Sequence, residues 1–124
     1  YKELIECGTT VTLCLFITKT NNNSKLYVCN LGDSDVYKFD KEFNYTKINE
    51  DHTVNNKNEI NRLKPFGLYK DGNYFTLNNY HSIMPSRSMG HLLLSQFGIC
   101  AEPSINIINL KNKDIILMAS DGLW

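Results

Sequence analysis

Apolar and polar residues alternate along much of this chain, and the alternation stops at short polar stretches that contain Gly, Asn or Asp. Residues 10–18 (TVTLCLFIT) are rich in β-branched and large apolar types and predict a strand, followed by a polar loop over Lys19 to Ser24. Residues 25–31 (KLYVCNL) put Leu26, Val28 and Asn30 on one face and Tyr27, Cys29 and Leu31 on the other. That strand enters a tight turn at Gly32-Asp33-Ser34-Asp35. Val36 to Asp40 and Phe43 to Ile48 continue the pattern as a hairpin across Asp40-Lys41-Glu42. Four short strands in succession predict an antiparallel meander with one face buried.

The period changes after Asp51-His52. Ile60 and Leu63 stand three apart, as do Glu59 and Arg62, which predicts one short amphipathic helix over residues 55–64 ending at Pro65. Residues 66–85 hold no sustained period and are expected to be irregular. Met89 to Phe97 has room for a helical turn or two, although Gly90 weakens it. Ser104 to Leu110 and Asp114 to Ser120 are two further strands around Lys111-Asn112-Lys113, and Asp121-Gly122 ends the second. The sum is one α+β unit of the antiparallel kind.

Composition narrows the function. With 124 residues, 42% of them hydrophobic, the chain is large enough for one domain with a real core. Thirteen Lys and Arg balance thirteen Asp and Glu, which argues against a nucleic-acid surface or a polybasic membrane patch. No apolar run approaches the roughly 20 residues of a membrane-spanning helix. Cys7, Cys14, Cys29 and Cys100 have neither CxxC nor zinc-finger spacing, so free thiols in a reducing compartment are expected. An intracellular setting, cytoplasmic or nuclear, and a monomer follow as expectations. The chain opens at Tyr1 with no signal-like segment and is read as cut from something longer.

The candidate chemistry is acidic. Asp33 and Asp121 both sit where a strand ends beside Gly, a placement that suits a hard, oxygen-seeking cation such as Mg²⁺ or Mn²⁺. Each taken alone equally suits an Asx-turn or a helix cap. Asp51-His52 is open to a general acid/base reading or to that of a solvated turn. Glu59 and Arg62 read as a helix surface pair, and Arg87, between Ser86 and Ser88, as an anion holder or an ion-paired residue. No GxSxG, P-loop or Gly-rich dinucleotide fingerprint is present, so serine-nucleophile and nucleotide-binding readings are set aside.

Seven blocks follow one another over almost the whole chain: Cys7-Gly8-Thr9-Thr10, residues 26–34 (LYVCNLGDS), Asp51-His52, Glu59-Ile60-Asn61-Arg62, Ser86-Arg87-Ser88-Met89-Gly90, Ala101-Glu102-Pro103, and residues 115–124 (IILMASDGLW). As an ordered set they resemble the metal-dependent serine/threonine protein phosphatases, the PPM or type 2C family. The resemblance implies a four-layer α-β-β-α sandwich of two antiparallel sheets, with two or more Mg²⁺ or Mn²⁺ ions in a cleft at one end. It implies dephosphorylation of phosphoserine and phosphothreonine in a protein substrate by a metal-activated water. By the same resemblance Asp121 matches a ligand of the core metal pair and Asp33 the holder of a further, weaker metal. Arg87, Asp51, His52, Glu102 and His91 fall on positions that shape the cleft, and residues 66–85 correspond to a variable flap.

The chain departs from the pattern as well. The family's N-terminal Asp-Gly-His-Gly-Gly, its upstream phosphate-binding Arg and its C-terminal Asp-Asn are missing, so residues 1–124 read as the central part of a single phosphatase domain. Alone, they are expected to be inactive. Asp35 stands where the Gly-Asp-Ser motif commonly continues with Arg, and His91 where Asp commonly follows. These two departures motivate the alternative of a pseudophosphatase, a binding or regulatory domain on the same fold.

Overall fold

In a computed structural model, residues 7–18 and 24–124 are described; the polar loop expected at Lys19 to Ser24 lies almost wholly outside them. Strand β1 (Gly8–Thr9) precedes β2 (Val11–Thr18), β3 (Ser24–Leu31), β4 (Asp35–Phe39) and β5 (Tyr45–Lys47). Helix α1 (Lys57–Leu63) runs into a 3₁₀ turn at Lys64–Phe66, then come β6 (Tyr69–Asp71), β7 (Tyr74–Leu77), β8 (His81–Ile83) and β9 (Met89–Gly90). A short α2 (Leu92–Ser95) leads to β10 (Ser104–Leu110) and β11 (Ile115–Ala119).

The first four long strands do not form one meander. β2 and β3 pair antiparallel and are completed by β10 on the other side of β3, while β4 pairs β5 and β11. The chain changes sheets at Gly32-Asp33-Ser34, so the expected meander is corrected to two hairpins in two sheets. The cause is apolar patterning: Leu26 and Val28 of β3 and Val36 of β4 all need cover, and facing one another they obtain it. Those three are fully buried, with Cys14, Ile48, Ile108, Leu110 and Ile116 packed around them. Cys14 and Met118 meet across this layer, sulfur to sulfur at 3.9 Å. The fold is therefore α+β, built on two facing antiparallel sheets.

Residues 66–85 are corrected from irregular to a third antiparallel sheet, β6-β7-β8. Its turns carry left-handed residues at Gly72 (φ 58°), Asn78 (φ 51°) and Asn79 (φ 60°), the residue types that tolerate such backbone. Asp71-Gly72 and Asn78-Asn79 are legible hairpin signals that the missing periodicity concealed. Phe75, Leu77 and Ile83 from this sheet join Val54, Leu63, Leu68, Leu94 and Ile99 in a second core. Helix α1 caps that core, and its own start is held by the Asn56 side chain accepting from the Asn58 N–H at 3.0 Å. The helical stretch expected at Met89 to Phe97 splits into β9, paired with β1, and α2, because His91 (φ 48°) lies in the left-handed region between them.

Candidate metal centre

The turn after β3 is held by the residues that surround it. Gly32 takes φ 123°, and a Cβ there would meet the Thr10 side chain at 2.3 Å, so only glycine fits. Buried Asn30 donates to the carbonyls of Gly32 and Glu50, at 3.1 and 2.9 Å, and its side-chain oxygen accepts from the Thr12 hydroxyl. Asn49 accepts from the Val36 N–H at 2.7 Å and donates to the Ser34 carbonyl at 2.9 Å. His52 closes the frame: its N–H donates to the Gly32 carbonyl and its Nδ1 accepts from the Gly32 N–H. Residues 49–52 thus grip Gly32-Asp33-Ser34 from both sides. Sequence reasoning passed over Asn30 and Asn49; a polar residue on the otherwise apolar inward face of β3 was the signal for the first.

His52 is 2% exposed, and burial foremost, then the positive charge of Arg87, lowers its imidazole to about 4. A neutral ring committed to Gly32 is a positioning group, which corrects the general acid/base reading. The reading of Glu59 and Arg62 as a surface pair is corrected too. Glu59 is 1% exposed; Arg62 Nη2 lies 2.7 Å from its carboxylate and Arg87 Nη2 2.6 Å, and the Ser86 hydroxyl donates to it as well. Burial pushes this carboxyl up, but the hydrogen bonds from Arg87, Arg62 and Ser86 outweigh it and hold it at about 2. Arg87 also donates to the Glu102 carbonyl at 3.0 Å, so its charge is committed to a structural clamp and Glu102 takes part through its backbone. His91 lines a different cavity, with Tyr80, His81 and Leu94.

Asp33, Asp35, Asp51 and Asp121 line one cavity of about 280 Å³, together with Thr53, Asn55 and Trp124. Burial pushes the Asp33 carboxyl up, and the negative charges of Asp121 and Asp35 push it the same way. A carboxyl raised by neighbouring negative charges is relieved by a nearby cation. Asp33 and Asp121, from the end of β3 and the end of β11, therefore supply hard oxygen donors of the kind Mg²⁺ and Mn²⁺ take. They are two ligands only: among the described residues no three of His, Cys, Asp and Glu gather closely enough to hold an ion. Lys47 faces the same carboxylates, with Nζ 2.6 Å from Asp35 and 2.8 Å from Asp51. Burial works to lower Lys47, and its two partners overcome that and hold it charged.

A family model described as protein phosphatase 2C matches residues 1–124. The chain belongs to the protein phosphatase 2C family. Among its curated relatives, this phosphatase 2C chain is 30% identical to "Protein phosphatase 1K, mitochondrial" of Xenopus laevis, over 98% of the chain and 32% of the relative. It is 30% identical to "Probable protein phosphatase 2C 2" of Arabidopsis thaliana, over 87% of the chain and 28% of that protein. The chain thus spans about a third of the length of these relatives. Two solved structures share its fold. A C. elegans sex-determining protein superposes with TM-score 0.78 at 21% identity, covering 98% of this chain and 29% of the other. A serine-threonine phosphatase 2C from Toxoplasma gondii gives TM-score 0.67 at 18% identity, covering 82% and 40%.

Proposed function

We propose that the protein is a metal-dependent phosphatase acting on phosphoserine and phosphothreonine in protein substrates, and that residues 1–124 are the central part of its catalytic domain. The observation that carries this reading is the meeting of Asp33 and Asp121 in one cavity of a protein phosphatase 2C chain. In this reading Asp33 and Asp121 hold Mg²⁺ or Mn²⁺. A divalent cation in such a site lowers the pKa of an attacking water and offsets charge on the phosphoryl oxygens. The chain's own contribution is placement. Gly32, Asn30, Asn49 and His52 hold the backbone that carries Asp33, and a turn closed by the Leu123 N–H donating to the Ser120 carbonyl carries Asp121.

A cytoplasmic or nuclear setting and a monomer complete the proposal, the former supported by the free thiols of Cys14, Cys29 and Cys100. No helix among the described residues is long and apolar enough to cross a membrane. The pseudophosphatase alternative drew on Asp35, whose charge Lys47 offsets, and on His91, which lines another cavity.

The test is turnover of a phosphothreonine peptide by the full-length protein with Mn²⁺, with chelator, and after Asp121→Ala. Activity with Mn²⁺ that falls by about a thousandfold or more in both controls is expected, the scale of a lost centre of electrostatic catalysis. A folded protein without turnover would favour the pseudophosphatase.

A further inference from the structure

Lys47 lies on β5, next to the turn that carries Asp33, and its ammonium is seated on two carboxylates of the same cavity. Nζ is 2.6 Å from Asp35 and 2.8 Å from each oxygen of Asp51. Asp35 and Asp51 therefore line the cavity beside Asp33 and Asp121 already matched to a cation supplied by the chain itself. The pair Asp35 and Lys47 is also a charge arrangement that the local motif does not require: a negative residue follows Gly-Asp-Ser, and the positive one comes from a neighbouring strand, β4 pairing β5 with Tyr37 opposite Lys47.

We infer that Lys47 is a positioning and metal-tuning residue: by holding Asp35 and Asp51 it keeps both carboxylates off the divalent cations that Asp33 and Asp121 are proposed to hold, and so sets how tightly the cleft holds Mn²⁺. The inference rests on the metal reading above. Its logic is charge balance. Four carboxylates in a cavity of this size would draw divalent ions strongly and release product phosphate reluctantly, because a tightly held ion keeps its anionic ligands. One built-in ammonium cancels a unit of that charge and orients the two carboxylates nearest to it. A Lys suits this task better than a metal ion, since it cannot be exchanged and it brings no open coordination position.

The experiment is direct measurement of Mn²⁺ binding to the full-length protein, by the electron paramagnetic resonance of free Mn²⁺, across charge variants of this pair. Lys47→Gln is expected to tighten Mn²⁺ binding by about tenfold, as removal of one nearby positive charge in a partly buried site does. Lys47→Arg keeps the charge and is expected to bind Mn²⁺ as the native protein does. The double variant Asp35→Asn with Lys47→Gln is expected to fall back towards native affinity, because a carboxylate released by the loss of the ammonium is then gone. If Lys47→Gln does not fold, Lys47→Met provides the same removal of charge with a similar stem. Native protein that binds Mn²⁺ while the charge-removing variant binds it no more tightly would overturn this inference alone. So would equal tightening by Lys47→Arg. Native protein that binds no Mn²⁺ would overturn the proposed function, and this inference with it.

Discussion

His52 carries a consequence that depends on one side chain. Its imidazole is buried, accepts a hydrogen bond from the Gly32 N–H and titrates near 4 in the folded chain, against 6.5 for the free group. Between those two values the unfolded chain binds a proton that the folded one refuses, so stability rises with pH across the window and is complete above it. A shift of this size corresponds to something on the order of 3 kcal/mol. Urea denaturation of the full-length protein from pH 4 to pH 6.5 is expected to show midpoints climbing with pH. His52→Gln should flatten that slope; a slope that His52→Gln leaves intact would assign the dependence elsewhere. Glu59 titrates in a separate window, since its carboxyl is held at about 2, so its stabilisation is present above the free-acid value of 4.5 and is lost as pH falls towards 2.

At the level of elements, the short helix α1 shows how little local propensity decides. Seven residues are too few for a stable isolated helix, and tertiary anchorage has to make up the difference. Leu63 supplies part of it from within the second core. Glu59 supplies the rest, since Arg62, Arg87 and Ser86 converge on its carboxylate while the two arginines reach on to the carbonyls of Gly98, Ser86 and Glu102. Helix α1, the Ser86–Ser88 segment and the approach to β10 are thereby fastened at one point. Glu59→Gln leaves two guanidinium groups over a neutral amide and is expected to cost about 3 kcal/mol or more. Thermal or urea denaturation reads that loss, beside Lys41→Ala as a control, because the Lys41 and Glu42 pair is exposed and of little consequence. A Glu59 variant as stable as the control would show that the clamp is dispensable.

For the whole molecule the unbalanced feature is apolar surface. Leu13 and Leu15 of β2 and Ile105 and Ile107 of β10 are each more than half exposed on the outward side of their sheet. Across β3 they lie in register with Cys29 and Tyr27, which makes the patch continuous. The other sheet shows Ile115 and Tyr45 outward, with Tyr37 packed edge-on against Trp124 at 5.1 Å between ring centres. Continuous exposed apolar faces of this kind bind hydrophobic dyes and favour association. The polypeptide of residues 1–124 by itself is therefore expected to bind 8-anilinonaphthalene-1-sulfonate and to show no Mn²⁺-dependent turnover of a phosphothreonine peptide. Turnover by that polypeptide would mean that the two carboxylates and their frame suffice for the chemistry.

The strands of the two facing sheets were legible in the sequence, because alternation has a period of two and places the residues of β3 on two faces. The turn at Gly32-Asp33-Ser34 was legible for a similar reason: backbone that needs glycine, as Gly32 does at φ 123°, says so locally, and Asp121-Gly122 marked the end of β11. The ordered motifs also carried the family. What only the tertiary structure decided is who meets whom. Local patterns are blind to partners that arrive from distant segments, so the division of β2 to β5 between two sheets, the arrival of Arg87 on buried Glu59, and the seating of Lys47 on Asp35 were not written in any window of the chain. Nor was the cavity itself, which exists because β3 and β11, far apart in sequence, end at the same edge of the facing sheets and deliver Asp33 and Asp121 to one place.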